Sequence, residues 1–286
     1  MTTVSTPTNM EPASSSDISP EAYEMIRRIM KDSRGFILDS YKDKCIKRRV
    51  AIRVRATHSA SAEAYADLLL KDGDEVDRLL KVLTIHVSQF FRNPPTFDKL
   101  RTQIFPFLFT LPGINGNEEL SIWSVGCASG EEPYTLALIL KHFFPEELEK
   151  LRVTILATDV DAGILDVARV GIYGEERLME VPEPLRQEYF VQRDGKFQLA
   201  SEIRTLVEFR QADLADSETF PDCDLIVCRN VLIYFERQQQ ETILNGFADR
   251  LRPGGILVLG KSETLVGETR RRFQTVCPVE RIYRVV

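Results

Sequence analysis

No CxxC pair, no G-x-G-x-x-G turn and no apolar run near the roughly 20 residues that cross a bilayer occur in these 286 residues. Insertion in a membrane and a dinucleotide fingerprint are thereby excluded. The five cysteines (Cys45, Cys127, Cys223, Cys228, Cys277) are odd in number and unpaired by spacing, which excludes a disulfide scaffold and a structural zinc site. They read as reduced thiols of a cytoplasmic protein, and no metal is expected. With 15 glycines the chain is too poor in that residue to be collagen-like. The opening MTTVSTPTNMEPASSSD has no basic patch followed by an apolar stretch, so residues 1–17 read as a disordered polar tail and not as a secretory signal.

What is present is a globular composition. Hydrophobic residues make up 43% and charged residues 28%, enough to bury a sizeable core as one large domain or two ordinary ones. Ser19-Pro20-Glu21 starts a helix, because a serine hydroxyl accepts from an early amide and proline at the first helical position loses no hydrogen bond. Tyr23, Ile26, Ile29 and Met30 then share a face; Tyr65, Leu68 and Leu69 mark another helix, and Val76, Leu79, Leu80 and Leu83 a third. A small all-helical unit should therefore run to about residue 83. Inside it, Lys42, Lys44, Lys47, Arg48, Arg49, Arg53 and Arg55 stand against the single acid Asp43. A solvated helix face is the usual fate of such a run, and a docking face for an acidic partner is the alternative. The net charge of −6 speaks against nucleic acid.

From Leu120 the pattern changes. Leu120–Val125, Val153–Thr158, Asp224–Cys228 and Ile256–Leu259 are short β-rich runs, separated by helical patterns at Pro133–Phe144, Ala162–Val170 and Gln238–Leu251. Alternation of this kind predicts an α/β fold with a mainly parallel sheet covered by helices, which binds ligands at the carboxyl ends of its strands. Residues from about 172 to 211 interrupt the rhythm, and Asp194-Gly195 between two short β-rich runs predicts a small hairpin.

The first strand ends in Gly126-Cys-Ala-Ser-Gly-Glu131-Glu132-Pro133-Tyr134, a small-residue turn opening a helix that would let a ligand approach the backbone. Two carboxylates in that first helical turn would repel a pyrophosphate and favour a cation. S-adenosylmethionine, with its ammonium and sulfonium, is such a ligand. Asp159 closes the second strand, where a carboxylate can accept both hydroxyls of an adenosine ribose, while Asp161 suits a helix cap. Asp213-Leu214 would offer an adenine a polar edge and an apolar wall, although from the residues alone a plain surface loop is the stronger reading there. Arg229 and Asn230, directly after a buried strand, are poor core residues and plausible site residues; Tyr234 fits either core or rim. In the segment His86-Val-Ser88-Gln-Phe90-Phe91-Arg92, the Phe pair reads as interdomain core, and Arg92 is placed to reach over a cofactor.

Together HVSQFFRN, SVGCASGEEPY, ATDVD, ARVGIY, CRNVLIYF and LRPGG closely resemble the CheR-type chemotaxis receptor glutamate O-methyltransferases, over about residues 19 to 286. The resemblance implies a Rossmann-like S-adenosylmethionine-dependent methyltransferase domain at residues 119–286 with a small antiparallel β subdomain at about 172–211, preceded by a helical domain at 18–83 and a linker and helix at 84–118. It implies methylation of glutamate side chains on cytoplasmic helices of chemoreceptors, with S-adenosylhomocysteine as the second product. Carried onto this chain, cofactor contacts fall on His86, Ser88, Arg92, Glu132, Asp159, Asp213, Leu214, Arg229 and Asn230, and Arg92 and Tyr234 flank the reacting carboxylate. The family's usual pattern has Asn and Thr where this chain has His86 and Ser88. The resemblance also points to the basic segment Lys42 to Arg55 as the receptor-docking face and to a monomer. Some members tether to a receptor tail peptide through a glycine-bearing insertion in the β hairpin; Val191–Phe197 lacks one, so no tight tether is expected.

A glutamate carboxylate is ionised at neutral pH and needs no general base to attack a methyl sulfonium, so no catalytic His or Cys is required. The alternatives are an NAD-type oxidoreductase and a non-catalytic relative that binds the cofactor product and signals. Asp159 lies well beyond the roughly 20-residue spacing that the first prefers. The presence of Arg92 and Tyr234 argues against the second.

Overall fold

The computed structural model describes residues 18–84, 86–111, 114 and 119–286, and the tail read at residues 1–17 lies outside them. Two compact units divide after Thr84.

In the first unit, helix α1 (Pro20–Arg34) starts at Ser19, whose hydroxyl accepts from the Ala22 amide at 3.1 Å. It is followed by α2 (Asp43–Ala56), α3 (Ala62–Lys71) and α4 (Gly73–Leu83). The apolar faces bury as the periodicity predicts, except that Tyr23 and Leu68 are only half-buried. Helix α2 adds Ile46, Val50 and Val54 to this core, which turns two of its bases inward. Arg49 is buried and donates to the carbonyls of Val82 and Leu83 at 2.7 and 2.6 Å, satisfying acceptors that the end of α4 leaves open. Arg53 forks onto Glu75 at 2.8 and 2.7 Å, and the Tyr65 hydroxyl donates to the same carboxylate at 2.9 Å. Burial disfavours the ionised Glu75, but these bonds and the Arg53 charge outweigh it and hold its carboxyl below the ordinary value. The basic run is therefore not one uniform face. Arg49 and Arg53 hold the unit together, while Lys44, Arg48 and Arg55 lie on the exposed side with Ile52.

The second unit contains strands β1 (Glu119–Val125), β2 (Arg152–Asp159), β3 (Ile172–Tyr173), β4 (Phe190–Arg193), β5 (Lys196–Leu199), β6 (Val207–Gln211), β7 (Cys223–Cys228), β8 (Leu251–Leu259), β9 (Phe273–Cys277) and β10 (Ile282–Val285). Helices α5 (Pro94–Lys99) and α6 (Phe105–Phe109) precede the sheet; α7 (Glu131–Phe143), α8 (Pro145–Lys150), α9 (Ala162–Val170), α10 (Glu183–Tyr189), α11 (Ser201–Arg204) and α12 (Arg237–Arg250) lie between its strands in the chain.

Seven strands form one sheet in the order β6-β2-β1-β7-β8-β10-β9. The first five are parallel, and β10 lies antiparallel between β8 and β9. All six residues of β7 are buried, as expected for a strand covered on both faces. From β1 the chain moves outward to β2 and β6, then crosses back to β7 on the other side of β1. The switch point of the sheet therefore falls between β1 and β7, where their carboxyl ends open a crevice.

The expected hairpin is present: Arg193 pairs with Lys196, and Asp194 and Gly195 have φ of 49° and 73°, the left-handed pair that a two-residue turn of this hand requires. It forms the small sheet β3-β5-β4. Three points differ from the sequence reading. Val207–Gln211, assigned to the small β excursion, is the edge strand of the main sheet and pairs with β2. Strands β9 and β10, past the last β-rich run, were not foreseen because only short stretches of them are buried. Phe90 and Phe91, expected between domains, are buried in the core of the second unit with Phe97 and Leu100.

Candidate active site

The turn after β1 owes its glycines to packing. Gly126 has φ of 64°, and a Cβ there would stand 2.5 Å from Cγ2 of Val231, in the turn after β7. At Gly130, with φ of 91°, a Cβ would meet Tyr134, Ala168 and Phe209 at 3.0 to 3.2 Å. The two turns at the switch point are thus pressed together.

Asp159, at the end of β2, is 8% exposed and accepts the amides of Ala128 at 3.0 Å and Asp161 at 3.1 Å. It ties the β1 turn to the β2 turn. Asp161 does cap α9, its Oδ1 accepting from Gly163 at 2.8 Å. Its Oδ2, however, is buried with no hydrogen-bond partner among the described residues. Facing it is His86, whose Nε2 is also buried and unpartnered, 3.7 Å from Asp161 Oδ2 and 3.9 Å from Asp159 Oδ1. The amide of Ala212 donates to the Asp159 carbonyl at 3.0 Å, which brings Asp213 and Leu214 beside the end of β2.

Glu132, in the first turn of α7, accepts from Ser124 at 2.9 Å and faces Arg229 at 3.4 Å. Burial pushes its carboxyl up to about 7 even though Arg229 and Ser124 pull the other way. Arg229 also donates to the Arg92 carbonyl at 2.7 Å and lies 5.1 Å over the Phe97 ring. Its guanidinium is thus turned into the protein: it holds Glu132 and the Arg92 backbone. The segment from His86 to Asn93 is fixed at further points. Arg177 donates to the Ser88 carbonyl, Phe90 donates to the Arg177 carbonyl at 3.0 Å, and Phe91 donates to Thr135 at 3.1 Å. The Arg92 guanidinium donates to the Val87 carbonyl at 3.0 Å.

After β7, Asn230 adopts φ of 62° and leaves Oδ1 buried without a hydrogen-bond partner among the described residues. Tyr234 is half-buried on the 3₁₀ turn Leu232–Tyr234 that follows. The described residues thus bring His86, Asp159 and Asp161 together at the end of β2, and Glu132, Arg229 and the Arg92 backbone together after β7.

Two participants, Arg177 and Glu263, escaped the sequence reading, and Glu131 was read only as a charge in the first helical turn. Glu131, fully buried, accepts from Ser129 at 2.6 Å and faces Arg177 at 3.4 Å, and burial raises its carboxyl. Arg177 belongs to a segment with no periodic signal. Glu263 accepts amides from the turns after both β7 and β8, and burial raises its carboxyl against the pull of those bonds. An acid soon after the buried run of β8, in Gly260-Lys-Ser-Glu263, was the available hint.

The carboxyl ends of the parallel strands are therefore lined by buried acids with unpartnered oxygens. A cationic adenosyl ligand suits such a crevice, because it would bring positive charge to its acids and supply the missing donors. The family model described as CheR methyltransferase, SAM binding domain, matches residues 86–280, and that described as CheR methyltransferase, all-alpha domain, matches residues 21–84. The chain belongs to the CheR methyltransferase family. It is similar to the Chemotaxis protein methyltransferase of Borreliella burgdorferi, 33% identical over 90% of this chain and 93% of that protein. To the Listeria innocua protein of the same name it is 34% identical over 85% and 90%, and to Chemotaxis protein methyltransferase 2 of Vibrio cholerae 33% identical over 81% of each. It is thus a CheR-family methyltransferase of the chemotaxis class, and its cofactor is S-adenosylmethionine. No helix among the described residues is long and apolar enough to cross a membrane.

Proposed function

We propose that this CheR-family enzyme transfers a methyl group to glutamate side-chain carboxylates on cytoplasmic helices of chemoreceptors, giving γ-methyl esters. The carrying observation is the 2.7 Å bond from Arg229 to the Arg92 carbonyl, which joins the segment bearing Arg92 to the turn that leads to Tyr234, beside the acid-lined crevice. When bound, S-adenosylmethionine supplies a methyl group on a sulfonium, so that a carboxylate oxygen gains the methyl and the C–S electron pair stays on sulfur.

Glu132 is suited to accept the ligand's ammonium and Asp159 its ribose hydroxyls; Asp213 and Leu214 border the adenine, and His86, Ser88 and Asn230 close the pocket. Arg229 acts through Glu132 and Arg92. The Arg92 guanidinium and the Tyr234 hydroxyl orient the incoming carboxylate. Orientation is the main task, because the nucleophile is already ionised and no proton has to move. Arg92 should position the anion without neutralising it, since a tight ground-state contact would slow attack. The exposed side of α2, with Lys44, Arg48 and Arg55, presents positive charge to glutamate-rich helices. All five cysteines are free thiols, which supports action in a reducing cytoplasm.

Incubated with tritiated methyl donor and chemoreceptor membranes, the protein should place base-labile, volatile label on receptor; stable label or none rejects the glutamate ester. In the same assay, K44E/R48E should raise receptor KM about tenfold at low salt and little at high salt, as expected for exposed charges. An unchanged KM would remove α2 from docking.

The role of Glu132 carries a pH signature. Its folded-state value near 7 lies above the ordinary 4.5, so in the ligand-free protein its contribution to stability is present at low pH and fades as pH rises through that interval. Binding a cation requires the ionised form. Affinity for S-adenosylhomocysteine should therefore fall up to about tenfold per pH unit below 7 and level off above it. Calorimetry at pH 6 in buffers of different ionisation heat should show about one proton released. No proton release would reject Glu132 as the ammonium partner.

A further inference from the structure

We infer that Glu263 is the positioning residue of the cofactor pocket, acting through Asn230. This rests on the reading above that Asn230 borders the bound nucleoside. Glu263 is 4% exposed, and its carboxylate gathers amides from two turns at once. Oε2 accepts from Asn230 at 2.9 Å and Gly260 at 2.6 Å, and Oε1 accepts from Val231 at 2.8 Å. Gly260 directly follows β8, and Asn230 follows β7 by two residues, so one side chain joins the ends of neighbouring parallel strands.

These bonds decide where Asn230 points. Its φ of 62° is uncommon for a residue with a side chain, and the Glu263 bonds to its own amide and the next one hold the chain there. In that conformation Oδ1 is buried and has no partner among the described residues, an acceptor set toward something the protein alone does not supply. Val231, held by the other carboxylate oxygen, is the residue that abuts Gly126 in the turn after β1. Glu263 therefore sets the Asn230 side chain and the contact between the two turns of the switch point together.

Only a carboxylate suits this place. With both oxygens accepting from backbone amides, a glutamine would set an NH₂ against at least one N–H whichever way it is turned. Gly260 is similarly constrained: a Cβ on it would stand 2.7 Å from Glu263 Oε2 and 2.9 Å from the Asn230 nitrogen.

The test is calorimetric titration of the full chain with S-adenosylhomocysteine. N230G keeps the left-handed backbone and removes only the side chain; it should weaken binding about tenfold. E263Q should weaken it by about thirtyfold or more, and the double variant should be no weaker than E263Q alone, because a misplaced Asn230 has nothing left to lose. The readout is the dissociation constant: a merely less stable protein would bind with reduced stoichiometry and unchanged affinity. Should E263Q fail to fold, G260A, which displaces the carboxylate and keeps its charge, must show the same rise and the same non-additivity with N230G. Wild-type affinity in E263Q or G260A, or additive losses in the double variant, would overturn the inference alone. Wild-type affinity in N230G would remove the reading of Asn230, and the inference with it.

Discussion

Asp159→Ala is expected to weaken S-adenosylhomocysteine binding about 10²–10³-fold. The charge-assisted bonds that it would offer a ribose vanish, at about 1.5–3 kcal/mol each, and two of them at the lower figure come to about 3 kcal/mol. Its carboxylate also accepts the Ala128 and Asp161 amides at 3.0 and 3.1 Å. Leaving those two buried donors without an acceptor lowers the stability of free and bound protein alike. The sheet should survive, because β1 and β2 pair through backbone and Cys127 donates to the Thr158 carbonyl without help from the side chain. Asp159→Asn, retaining one acceptor oxygen, should fall between wild type and alanine. Isothermal titration decides: a dissociation constant in Asp159→Ala within about threefold of wild type would exclude a ribose role.

The second large effect is on turnover. Arg92→Ala should slow methyl transfer by about 10²-fold or more at saturating cofactor, and Tyr234→Phe by about tenfold or more, as for removal of a positioned donor. The Arg92 substitution is clean, since the bond that secures Arg229, and through it Glu132, is to the Arg92 carbonyl and survives the change. Among the described residues, the side chain itself gives up its hydrogen bond to Val87. Single-turnover transfer of labelled methyl to receptor membranes measures the step; wild-type rates in both variants would dismiss these two residues from carboxylate positioning.

The acids of the crevice and their neighbours were legible in unequal degree. Asp159 and Asp161 announced themselves because each follows a buried β-rich run, where an acid has no reason to be in the core. Glu132 was legible as a charge in the first turn of a helix. What it does was not, since its environment is set by Ser124 and by Arg229, 97 residues away. The same distance problem hid Arg177, which reaches Ser88 from 89 residues on, and Glu263, which reaches back 33 residues to Asn230. Gly126 carries a demand that its own neighbours in the chain do not show: the Cβ it lacks would collide with Val231, from the turn after another strand.

Arg49 and Arg53 make a related point about charge runs. Seven bases in one segment look alike in a sequence, yet helical spacing and the pull of Ile46, Val50 and Val54 toward the core carry these two inside, where carbonyls and Glu75 neutralise them. Any test of docking that includes Arg49 would confuse loss of fold with loss of contact. Lys44 and Arg48 are the informative positions.

By itself the sequence determined the alternation of strands and helices, the hairpin turn, the helix starts and the family, since each is carried by residues close together in the chain whose periodicity, φ preference or motif is a local property. The tertiary structure alone decided which charged groups became part of the fold and which were left for chemistry. That sorting follows from desolvation: a buried carboxylate or guanidinium must find partners wherever packing brings them, and the partners of Glu132, Arg229 and Glu263 come from other strands' turns.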